Sequence, residues 1–147
     1  MKNFVTVVIM LCALMVSSTA LAEEWTYITQ DVDGNKYFIN YSSVHSTKND
    51  KDDFRFSALV KIVYSEYGRA DDTRYDLPSN WANFASYKID HRSFRLKKSK
   101  KYTRSDGGAI YANDGTLLTR TRGFYFFELD SRSVWFPIFD AAYNRVR

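Results

Sequence analysis

The sequence predicts a mainly β (α+β) fold, a single curved antiparallel sheet of about six strands with a short C-terminal α-helix packed on it. Three observations carry this expectation. Aromatic residues make up 17% of the chain and mix with Val, Ile and Thr in short runs, which is strand composition. Asp-Gly and Asn-Asp-Gly separate the runs, as hairpin turns do. Near the C-terminus the apolar spacing changes, with Phe139, Ala142, Tyr143 and Val146 at i, i+3, i+4 and i+7, the period of one helix face.

Trp25 to Thr29 and Lys36 to Asn40 flank Asp31-Val32-Asp33-Gly34-Asn35, so an opening hairpin is predicted. Ser46 to Asp53 is a predicted polar loop. From Phe54 to Tyr64, the residues Phe54, Phe56, Ala58, Val60, Ile62 and Tyr64 alternate with Arg55, Ser57, Leu59, Lys61 and Val63, and one face of that strand must be core. Glu66 to Asn80 is acidic and turn-rich, with Leu77-Pro78-Ser79 near its end, and is expected to be a long surface loop or a loop with one irregular helical turn. Ala85 to Leu96 alternates Tyr87, Ile89 and His91 against Lys88, Asp90 and Arg92. Tyr102 to Ser105, Ala109 to Ala112 and Leu117 to Arg122 follow, divided by Asp106-Gly107-Gly108 and Asn113-Asp114-Gly115, which predicts a meander of hairpins. Gly123 to Leu129 carries four consecutive aromatics, Phe124 to Phe127, and is either a strand or a loop. In the terminal helix Asp140 comes early and Arg145 and Arg147 late, as the helix dipole prefers.

Export is predicted from the N-terminus. Lys2 supplies a positive start, Phe4 to Val16 an apolar stretch, and Ser17-Ser18-Thr19-Ala20-Leu21-Ala22 a small-x-small end, so residues 1–22 are expected to be a cleaved signal peptide. The apolar run is shorter than the roughly 20 residues a spanning helix needs, and no transmembrane segment is expected after cleavage. The expected destination is the periplasm or the outer cell surface. Cys12, the single cysteine, leaves with the leader, so residues 23–147 are expected to form one β domain held by packing without disulfides.

The chemistry readable from motifs is sparse. The formal net charge of +4 is too mild to argue for nucleic acid, and no specific nucleic acid is expected. A calcium loop starting at Asp31 would need glycine at its sixth position and an acid at its twelfth, where Lys36 and Ser42 stand. His45 and His91 are the only histidines and lack zinc-site spacing. There is no GxSxG elbow, P-loop or GxGxxG. No metal, cofactor or catalytic residue is therefore assigned, and a non-enzymatic protein is expected.

Tyr37-Phe38-Ile39-Asn40 followed by Ser43-Val44, the strand Tyr87-Lys88-Ile89-Asp90, the turn glycine Gly115, and Trp135-Phe136-Pro137-Ile138 before the helix together resemble the surface-adhesin protein E family of Gram-negative bacteria. The resemblance spans nearly the whole mature chain. It implies a small exported domain that binds host extracellular matrix or serum proteins. Many members of that family pair a cysteine about where His91 sits with one at the end of the helix; this chain has neither.

The sharpest local feature is basic. Arg92, Arg95, Lys97, Lys98, Lys100, Lys101 and Arg104 fall close together with no acid among them, interleaved with Phe94, Leu96 and Tyr102. Such a stripe suits an anionic partner, sulfated glycans included, or it is a solvated sheet edge kept charged against aggregation. Acids gather elsewhere, at Asp50, Asp52, Asp53, Glu66, Asp71, Asp72 and Asp76, so head-to-tail or two-fold self-association into a homodimer is also open. Phe124 to Phe127 is either an adhesive patch or core plus interface. The expected function is a non-enzymatic exported binding protein using the stripe, Arg92, Arg95, Lys97, Lys98, Lys100, Lys101, Tyr102 and Arg104. The alternative is a periplasmic structural or chaperone-like envelope protein.

Overall fold

A computed structural model describes residues 24–66, 68 and 85–147. The predicted leader, and most of the predicted acidic loop with Asp71, Asp72 and Asp76, lie outside the described residues. The strands are β1 (Thr26–Gln30), β2 (Lys36–Asp50), β3 (Asp53–Val63), β4 (Ser86–Lys97), β5 (Lys100–Ala112), β6 (Leu117–Thr121) and β7 (Phe127–Glu128), followed by the helix α1 (Trp135–Val146). All pairings are antiparallel, and β1 to β6 lie side by side in chain order. β7 returns to β5, where Phe127 opposes Thr103 and Glu128 opposes Tyr102. The result is the predicted class, an open antiparallel sheet with one short C-terminal helix. Among the described residues no helix is long and apolar enough to cross a membrane, a statement about helices alone.

In β3 the alternation works as expected. Phe56, Ala58, Val60 and Ile62 are buried against α1, and the odd-numbered residues face the other way, because successive strand side chains point to opposite faces. The register of β4 on β3 places Phe94 opposite Phe56, Arg92 opposite Ala58, Asp90 opposite Val60 and Lys88 opposite Ile62. β4 thus turns Lys88, Asp90 and Arg92 toward the helix side. The core has an aromatic end, where the Phe56 ring lies 5.2 Å from Phe94 and 5.1 Å from Phe139, and a charged end at Lys88, Asp90 and Arg92.

Two predicted loops are strand instead. β2 runs on to Asp50 with a turn at Lys51 and Asp52, because the polar stretch from Ser46 finds a template in the front of β3. Asp106-Gly107-Gly108 is not a turn; it is a bulge within one continuous β5, with Asp106 and Gly107 opposing His91 alone. Asn113-Asp114-Gly115 is a turn, with Gly115 at φ +89° and its N–H donating to Ala112 O. Asp31 organises the opening hairpin: Oδ1 accepts from the N–H groups of Asp33 and Asn35, and Oδ2 accepts from Asn35 Nδ2 and Tyr37 Oη. α1 starts at Trp135, four residues before the predicted Phe139, with Pro137 in the first turn, where its missing N–H costs nothing.

Candidate functional site

The face of the sheet away from α1 carries a cationic cluster at the β3–β4 end. Arg55 and Arg95 are direct cross-strand partners, a like-charged pair that by itself would repel. Asp53 reconciles them. Its Oδ1 accepts from Arg95 Nε at 2.6 Å, and its Oδ2 accepts from Arg95 Nη2, Arg55 Nη2 and Lys48 Nζ, each at 3.0 Å. Hydrogen bonds from Arg95 first and Arg55 second, with Lys48 adding, hold the Asp53 carboxyl well below the usual carboxylate range against the opposing effect of burial. In return Asp53 raises Arg95. One carboxylate against three cations leaves the cluster positive.

An aromatic ring caps it. Phe126, from the stretch between β6 and β7, sits 4.5 Å from the Arg104 guanidinium and 5.8 and 5.9 Å from those of Arg55 and Arg95, within cation–π range. Arg104 also contacts Asp106, Nε to Oδ1 at 2.8 Å. Tyr102 lies opposite Arg95 on β5, and Lys100 reaches Glu128 at 3.4 Å. Lys97 faces this side, Lys98 stands at the tip of the β4–β5 hairpin, and among the described residues neither makes an ion pair.

Of the eight residues singled out in the sequence, Arg95, Lys97, Lys100, Tyr102 and Arg104 share this face, with Lys98 at its end. Arg92 and Lys101 do not. Arg92 is buried on the helix side, bonded to Asp90 and stacked 3.6 Å from the Trp135 ring. Lys101 is 2.6 Å from Asp140 of α1 and 4.0 Å from the Phe136 ring. The structure adds Lys48, Arg55, Asp53 and Phe126. Arg55 was within reach of the sequence, since the alternation of β3 already places it on the polar face. Phe126 was not, because a run of four aromatics does not say which ring turns where.

Both histidines line a groove of about 530 Å³ on the same face, beside Ser57 and Asp106. Ser93 donates to Asp106 and lies 3.2 Å from Ser57, while His45 Nδ1 is 2.8 Å from Ser43 O. Among the described residues no hydrogen bond joins a histidine ring to a serine hydroxyl. What the face can do is bind: fixed guanidinium groups receive carboxylate or sulfate in two-pronged fashion, with apolar support from Phe126.

The chain matches no protein-family model, no curated protein and no solved structure.

Proposed function

We propose that this chain is a non-enzymatic exported binding protein that captures an anionic partner on the sheet face opposite α1. The observation that carries this is the convergence of Arg55, Arg95 and Arg104 around Phe126, flanked by Lys48, Lys97 and Lys100 and countered, among the described residues, by Asp53, Asp106 and Glu128. Several charge-assisted contacts on a rigid sheet favour an extended acidic partner, by steering encounter and by pairing with its anions. The resemblance to surface-adhesin protein E supports host matrix or serum proteins, or sulfated glycans, as the partner class, and the periplasm or outer surface as the location.

The test is retention on immobilised heparin across a salt series, using protein expressed with its own leader and purified as the cell processes it. Lys97→Gln, Lys98→Gln and Arg104→Gln combined leave the Asp53 network intact. This variant is expected to elute at clearly lower salt than the parent. Equal retention of the two proteins would overturn the proposal. Protease shaving of intact cells separates a surface adhesin from a periplasmic envelope component.

A further inference from the structure

We propose that the groove holding His45 and His91 continues the outer cationic face and engages the anionic partner when the two rings are protonated, so that capture strengthens as pH falls. The inference rests on the anion-binding reading above, and adds two residues and a pH dependence to it. His45 and His91 are the only histidines of the chain. They belong to different strands, β2 and β4, yet both are exposed and both line one groove of about 530 Å³.

The strand register joins this groove to the arginine cluster. His45 opposes Ser57 of β3, which is two residues from Arg55, and His91 opposes Leu59, two residues further along. On β4, Ser93 separates His91 from Arg95 by the same steps of two. Residues two apart on a strand share a face and stand about 7 Å from each other. Lys61 comes one step beyond Leu59, with its Nζ 4.7 Å from the Tyr87 ring. An extended polyanion lying along β3 and β4 therefore meets Arg55 and Arg95 at one end, Lys61 at the other, and the two histidines between.

Ring chemistry decides what the histidines do there. The Ser43 carbonyl can only accept, so His45 Nδ1, 2.8 Å away, carries a hydrogen and donates it. Nε2 keeps the lone pair, and a proton added there turns an acceptor that repels anions into a charged donor that binds them. The charged groups of the described residues around the two rings are Lys48 from β2, Arg55 and Lys61 from β3, Arg95 from β4, and Arg104 and Asp106 from β5. Arg92 also borders the groove, but its guanidinium lies on the helix side with Asp90 and Trp135. Asp106 is held by Ser93 Oγ and by Arg104 Nε at 2.8 Å. Histidine is the side chain whose ordinary titration falls between about pH 5 and about pH 8, whereas sulfate stays ionised throughout. A bound anion favours the protonated ring, so binding takes up protons and affinity rises as pH falls through that range.

The experiment compares heparin retention of the processed protein at about pH 8 and about pH 5.5, on either side of the histidine titration. The parent is expected to elute at clearly higher salt at the lower pH. His45→Gln with His91→Gln should match the parent at the higher pH and lose most of the rise at the lower one, and each single variant should lose part of it. His45→Lys with His91→Lys should be held strongly at both. Both positions are exposed, and thermal melts at the two pH values establish that the variants are folded. No retention of the parent at either pH would overturn the anion-binding reading and this inference together. Retention at equal salt at both pH values, or a rise that persists undiminished in the folded glutamine variants, would overturn this inference alone.

Discussion

Asp90 has no exposed surface, although it is an acid in the middle of the sheet. Arg92, Ser105 and Lys88 compensate it. Removing only the acid should cost about 3–5 kcal/mol, because it strands two buried cations. Replacing Lys88, Asp90 and Arg92 together by Met, Leu and Met should leave stability unchanged or higher. Urea unfolding of Asp90→Ala beside the triple variant checks both. Asp53 makes a different prediction, about pH. Its folded carboxyl lies below the ordinary value near ~3.9, so the unfolded chain takes up the proton first as pH falls. The stability it lends is present above that value and drains away as pH drops from about 4 toward about 2. Thermal melts should show the parent losing more over that window than Asp53→Asn, which should already melt lower near pH 7; equal slopes would remove Asp53 as the cause. Neither acid stood out in the sequence. Asp53 read as one of a run of loop acids, and Asp90 as part of a polar face, because hydropathy records polarity and not the partners that make burial tolerable.

The strands themselves were far easier to read. β3, the opening hairpin, the Gly115 turn and the terminal helix follow from alternation, turn residues and spacing, all of them local signals. The β4–β5 hairpin was expected but its turn was not located, because the turn is Lys98-Ser99, at φ 47° and 65°, where Asn-Gly is the usual signature of paired positive φ. The strong pairing of the two long strands imposes the conformation on residues that do not favour it. Ser99→Gly should therefore raise stability by about 0.5–1 kcal/mol, measured by denaturant midpoint, without touching any described side-chain contact. Asp106-Gly107-Gly108 misled in the opposite sense. A side chain on Gly108 would place Cβ 2.1 Å from Ile89 O, so glycine is required there by the close approach of β4, not by a turn. Gly108→Ala should cost at least about 1–3 kcal/mol, whereas Gly115, equally a glycine, meets nothing within 4 Å.

At the scale of the molecule the question is what holds α1 on the sheet. His91 lies on the face opposite the helix, so the strand-to-helix disulfide implied by the adhesin resemblance has no counterpart here in position as well as in chemistry. Among the ties that are present, one ionic and one aromatic can be weighed against each other. One is ionic, Lys101 to Asp140 at 2.6 Å, with the Asp140 side chain 44% exposed, and partly exposed pairs of this kind contribute about 0–1 kcal/mol. The other is aromatic: Phe139 has no exposed surface and meets Phe56, Phe94 and Tyr143 with ring centroids 5.1–6.0 Å apart. Deleting a buried phenylalanine costs about 3–5 kcal/mol, a large share of the roughly 5–15 kcal/mol by which domains are stable. Phe139→Ala should accordingly bring the whole domain close to unfolding, while Asp140→Asn shifts the urea midpoint only slightly. If the ionic variant proved the more damaging, the helix would be held by charge and not by its rings. The expected order puts the hold on α1 in the aromatic cluster, on the side of the sheet away from the outer cations.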